Sequence, residues 1–75
     1  MPTSMSVHSA AYRHFLIRLR EARLRAGLTQ AEVARRVQKP QSHLSKIEAG
    51  ERRVDVVELQ ALAAIYRRPL SWFLR

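Results

Sequence analysis

The sequence predicts an all-α fold, a compact bundle of five short helices, on three observations. Apolar residues recur at intervals of three and four along most of the chain, and no stretch sustains period-two alternation. Gly27, Pro40, Gly50 and Pro69 cut the chain into segments of helical length. Thr29 and Asp55, two good N-cap residues, each have a glutamate three positions later, Glu32 and Glu58. At 75 residues the chain makes one small domain, and a domain of this size buries only about 60% of its unfolded surface.

Residues 1–10, "MPTSMSVHSA", have no apolar h-region, so they read as a flexible N-terminal tail rather than a secretory signal. Residues 11–75 are the expected folded domain. The first helix runs from about Ala10 to Ala26, with Tyr12, Phe15, Leu16, Leu19, Ala22 and Ala26 along one face. Gly27 follows at the position where a helix favours a left-handed residue. The second helix opens on the Thr29–Glu32 capping box and carries Val33, Ala34 and Val37 as its apolar stripe. It is so short that it needs tertiary support. Pro40 pushes Lys39 out of helical angles, which ends that helix, and suits the first turn of the third. The third helix stops at Gly50. The fourth starts from Asp55 and reaches about Tyr66, with Leu59, Leu62, Ala63 and Tyr66 as its core stripe. After Pro69 the apolar run "LSWFL" is expected to form a fifth.

Charge narrows the function. Lys and Arg total 14 against 6 Asp and Glu, a net charge of +8, and twelve of the cations are arginine. A basic excess of this size on a small domain is the electrostatic footprint of a polyanion binder. Arginine also offers a planar fork that matches phosphate. There is no cysteine, which excludes a disulfide framework or a thiolate metal site and fits a cytoplasmic location. No run of about 18 apolar residues exists, so no membrane span is expected.

The third helix, "QSHLSKIE", has two unlike sides. Leu44 and Ile47 point one way at about 100° per residue, while Ser42, Ser45 and Lys46 point the other. Glu48 is the exception, a carboxylate on the apolar side. Arg23 falls on the same face of the first helix as Leu19, and so makes the obvious inward partner for Glu48. Short polar groups and a forked amide are what reading the DNA major groove requires: Gln41 can bond adenine through both amide atoms, Ser42 allows close approach, and Lys46 can donate to guanine. A merely solvated face would carry more Glu, Lys and Arg.

Two short helices joined by a brief turn, the second with a polar face, form the helix-turn-helix arrangement. The segment "GLTQAEVARRVQKPQSHLSKIEAGER", residues 27–52, resembles the Cro and phage-repressor type of bacterial DNA-binding domain, the XRE-like family. The similarity extends to "LREAR" before it and "VVELQALAAIYRRPLSWFL" after it. The resemblance implies a lambda-repressor-like five-helix domain with the third helix in the major groove. It also implies that Gln41, Ser42 and Lys46 read bases, that Gln30 holds a phosphate and braces the first reading residue, and that Arg23 pairs with Glu48. His43 and Ser45 flank the reading residues, within reach of base or phosphate, and Arg52 and Arg53 sit on a loop suited to phosphates. Two departures stand in the turn: Gln38 where the family usually has glycine, and Lys39 where it usually has an apolar residue.

The fourth helix is apolar on both sides. Val57, Ala61, Ala64 and Ile65 lie opposite its core stripe, and Trp72 and Phe73 exceed what one short last helix would bury. These six residues are the expected homodimer surface, an assignment that agrees with dimerisation in the family. Ile17 and Leu24 on the first helix form a weaker rival surface. The histidines are isolated and lack metal spacing. No defensible catalytic set or phosphate loop is present, so neither an enzyme nor a cofactor is expected. The leading expectation is a sequence-specific DNA-binding regulator, a homodimer on a palindromic operator. The alternative is an antitoxin that represses its own operon and binds a protein partner; only the first ten or so residues would be spare for that partner. A membrane-surface peptide explains neither the capping boxes nor the neutral reading face.

Overall fold

The computed structural model of the chain describes residues 9–75. Most of the tail expected over 1–10 therefore lies outside the described residues. Its last two positions belong to the fold: Ser9 caps the first helix, its hydroxyl accepting from the Tyr12 amide at 3.1 Å, and Ala10 is that helix's first residue. The described residues form four α-helices, α1 (Ala10–Arg25), α2 (Gln30–Arg36), α3 (Gln41–Glu48) and α4 (Val56–Tyr66), followed by a 3₁₀ helix at Leu70–Leu74.

The expected fifth α-helix is thus replaced by a 3₁₀ turn. After Pro69, five residues are too few to establish an α-type hydrogen-bond ladder, and the tighter i to i+3 form suits such short runs. The turn folds over α1 and α4 and pushes Trp72 and Phe73 into the core. Trp72 is 5% exposed and Phe73 fully buried, which removes both from the expected dimer surface. Arg18 of α1 holds the turn in place. Its Nε and Nη2 donate to the Trp72 carbonyl at 3.1 and 2.9 Å, and its guanidinium carbon lies 3.6 Å from the centre of the indole.

Each α-helix ends in the same way. An amide just past the helix bonds back to the carbonyl five residues earlier: Leu28 to Arg23, Lys39 to Ala34, Glu51 to Lys46 and Arg68 to Ala63, at 2.9–3.2 Å. This closure needs a left-handed residue at the position between. Gly27 (φ +74°) and Gly50 (φ +80°) fill that position without strain. At Gly50 the need is also steric, because an added Cβ would lie 3.1 Å from Leu16 Cδ1. Gln38 (φ +60°) and Arg67 (φ +58°) take the same conformation despite their side chains, at about 1–2 kcal/mol each. The turn between α2 and α3 therefore keeps the usual geometry, although Gln38 stands where the family has glycine.

The core joins all five elements. Phe15, Leu19 and Ala22 of α1 meet Val33 of α2, Leu44 and Ile47 of α3, and Leu62, Ala63 and Tyr66 of α4. Its main effect on function is orientation. α2 and α3 pack on each other and α3 packs on α1, so the angle of α3 is set from two sides.

Candidate nucleic-acid interface

α3 divides sharply. Leu44 and Ile47 are buried, at 1% and 0% exposure, while Gln41, Ser42 and Lys46 are exposed. No described hydrogen bond or ion pair engages the side chains of these three, which leaves their donors and acceptors available. Pro40 stands as the N-cap just before α3 rather than in its first turn. Its carbonyl accepts from the His43 amide at 3.0 Å. Ser45 is half-buried, and its hydroxyl donates to the Ser42 carbonyl at 3.2 Å, a local bond that leaves its oxygen able to accept.

The buried side of α3 is anchored by charge as well as by packing. Arg23 Nε donates to Glu48 Oε2 at 2.7 Å and Nη2 donates to Oε1 at 3.0 Å, a two-pronged contact between α1 and α3. The third arm, Nη1, donates to the Leu28 carbonyl at 2.9 Å, just before α2 begins. Both side chains are nearly out of water, at 8% and 4% exposure. The Glu48 hydrogen bond raises the Arg23 pKa above its already high value, against the opposing effect of burial. Tyr66 lies beneath this pair. Burial, with Glu48 as a lesser cause, pushes its phenol well above the ordinary range, and its hydroxyl has no hydrogen-bond partner.

Gln30 belongs to this network rather than standing free for a phosphate. Its Nε2 donates to Glu48 Oε1 at 3.0 Å. A carboxylate only accepts, so the amide nitrogen must face it. Gln30 thus braces the carboxylate that orients α3, with one amide hydrogen already committed.

His43 is a second correction. It was expected to flank the bases, but its ring turns inward and Nε2 meets Glu58 Oε2 of α4. Only 10% of the side chain is exposed. The reason is helical phase: His43 precedes Ile47 by one turn, on the border of the apolar stripe. Glu58 has two roles, since its backbone amide also donates to the Asp55 cap at 2.7 Å. The partnership was hidden in the sequence because it depends on how α3 and α4 pack.

Arg52 and Arg53 are exposed on the loop after α3, as are Arg35 and Lys39 around the end of α2. Arg53 leans toward the Tyr12 ring, 5.2 Å from its centre. The Tyr12 hydroxyl in turn accepts from the Val54 amide at 3.3 Å, which ties this loop to α1. Of the expected dimer residues, Val57 is 71% exposed, Ala61 and Ala64 are exposed, and Ile65 is partly buried. No described helix is long and apolar enough to cross a membrane.

A family model described as helix-turn-helix matches residues 19–73. The matched segment takes in the C-terminal part of α1, the whole α2–turn–α3 unit, α4 and nearly all of the closing turn. No curated protein matches the chain. With an exposed polar face on α3, a basic surround and a matching model over most of its length, the chain belongs to the XRE-type helix-turn-helix family of DNA-binding domains.

Proposed function

We propose that the chain is a sequence-specific transcriptional regulator, a binding module rather than a catalyst, acting in the cytoplasm as a homodimer on a palindromic operator. The observation that carries the reading is the outward face of α3. Gln41, Ser42 and Lys46 are exposed and uncommitted, on a helix whose opposite face is fully buried and whose orientation is held by Arg23, Glu48 and Gln30. The major groove, about 12 Å wide, admits one such helix. In this reading Gln41 pairs with adenine and Lys46 donates to guanine, while Arg52, Arg53 and Lys39 neutralise flanking phosphates. Ser45 supplies a further acceptor beside Ser42.

The dimer half of the reading rests on α4. Val57, Ala61, Ala64 and Ile65 share one side of that helix, and Val57 remains mostly exposed. A two-fold axis through this side would set two copies of α3 about 34 Å apart, one turn of DNA. Selection of bound duplexes from a random pool, at a stated salt concentration, tests both halves together. The expected product is an inverted repeat with half-sites one turn apart. A pool without consensus would refute sequence-specific reading, and a single unpaired half-site would refute the dimer.

A further inference from the structure

Away from the reading face, the ends of three helices surround a cavity of about 460 Å³. Arg25 from the end of α1, Arg36 from the end of α2, and Arg67 and Arg68 past α4 all line it. No acidic residue lines it. We propose that this cavity is a second anion site, one that takes a phosphate-bearing ligand.

The competing explanation is that these arginines only neutralise the negative ends of their own helices. Its magnitude is too small. Each helix end carries about half a negative charge. Glu21, which holds Arg25 at 2.7 Å, adds one more. Glu32 acts on Arg36 as well, but it shares that interaction with Arg35; counting both, three ends and two carboxylates supply about three and a half negative charges against five guanidinium groups. A surplus of more than one positive charge is left in a concave place. The side chains of Arg36 and Arg67 make no hydrogen bond or ion pair among the described residues, so their forks are free to take oxyanions. Arg67 itself is the left-handed residue that ends α4.

The rest of the lining narrows the ligand. Tyr66, the only aromatic residue in the wall, is 3% exposed and presents no face for a base to stack on. The recognised group is therefore phosphate rather than nucleobase. Two sources share that chemistry: the DNA backbone beyond the bases that α3 reads, and a free di- or triphosphate group.

The test uses the full 75-residue chain and inorganic triphosphate, followed by amide NMR. Saturable shifts are expected at Leu28, Tyr66, Arg67 and Arg68. The double variant Arg36→Gln with Arg67→Asn is expected to weaken binding at least tenfold; asparagine tolerates the left-handed backbone, and an unchanged spectrum elsewhere verifies the fold. The same two proteins are then compared on duplex DNA across a salt series. A slope reduced by about two in the variant identifies the DNA backbone as the source. An unchanged slope, with triphosphate still bound beside saturating DNA, identifies a free phosphate ligand. Shifts confined to Gln41–Lys46, or equal triphosphate affinity in the variant, overturn the site. The triphosphate arm does not depend on operator recognition, so a failure of the regulator reading leaves it intact.

Discussion

At the scale of single residues, direction decides role. The side chains of Gln41 and Lys46 point out of α3 and make no described hydrogen bond, so truncating either takes nothing from the fold. Gln41→Ala or Lys46→Ala is expected to weaken binding to the selected site by about 1–3 kcal/mol and to relax preference at one base position. Titrations against the selected duplex and a scrambled one check this; an equal loss on both would mean a phosphate contact instead. Arg23 and Glu48 point inward, and there the argument reverses. Arg23→Met would leave Glu48 buried with only the Gln30 amide, a loss of about 3–5 kcal/mol. Adding Glu48→Leu removes the orphaned charge and is expected to recover much of it. Urea unfolding of the single and double variants measures both, and a double variant no better than the single would show that the two residues are not coupled.

At the scale of elements, capping and closure explain why such short helices hold. α2 has only seven residues, below the length at which an isolated helix is stable. Its capping box compensates: Glu32 accepts from the Thr29 amide at 2.8 Å, and its own amide donates to the Thr29 hydroxyl at 3.1 Å. Those bonds, first of all the one from the Thr29 amide, hold the Glu32 carboxyl below its ordinary value of 4.5. A group whose pKa is depressed by folding stabilises the fold above its unfolded value, and that contribution is lost as pH falls through the folded one. Stability is therefore expected to drop on acidification below about pH 4.5, and Glu32→Gln is expected to flatten that part of the curve. Thermal midpoints across pH 3–6 test it, and parallel curves would argue against the cap. At the other end of α2, Gln38 bears left-handed strain, and its side chain makes no hydrogen bond or ion pair among the described residues. Gln38→Gly is expected to stabilise the domain by about 0.5–1 kcal/mol, the relief being partly offset by the greater freedom of the unfolded chain. A lower midpoint in urea would contradict this.

At the scale of the whole molecule, two apolar surfaces near the C-terminal end behave differently. The closing turn is core: Trp72 packs under Arg18 and beside Phe73, with ring centres 5.3 Å apart. Trp72→Ala is expected to destabilise the domain by about 3–5 kcal/mol. The outer side of α4 is surface, so Ala61→Glu is expected to leave thermal stability nearly unchanged while yielding monomers with much weaker operator binding. Sedimentation and denaturation of the two variants separate these outcomes. A monomeric unmodified protein at tens of micromolar, alone and on its operator, would discard α4 as the dimer surface.

Local signals carried much of this protein. Breakers, caps and helical spacing determined the four α-helices and their order, and the two-sided pattern of α3 pointed to Gln41, Ser42 and Lys46. The inward phase of Glu48 and Arg23 identified a pair before any packing was known. These features are legible because each depends on residues within a turn or two, or on the phase of a single helix. Tertiary packing decided the rest. Whether "LSWFL" lay open for a partner or folded inward depended on the space between α1 and α4 and on Arg18, fifty-four residues away from the carbonyl it holds. His43 turned from the groove side to Glu58, and Gln30 from phosphate to Glu48, because the acceptors that claim them come from other helices. The arginine-lined cavity arises in the same way: it exists only where three helix ends, far apart in sequence, meet.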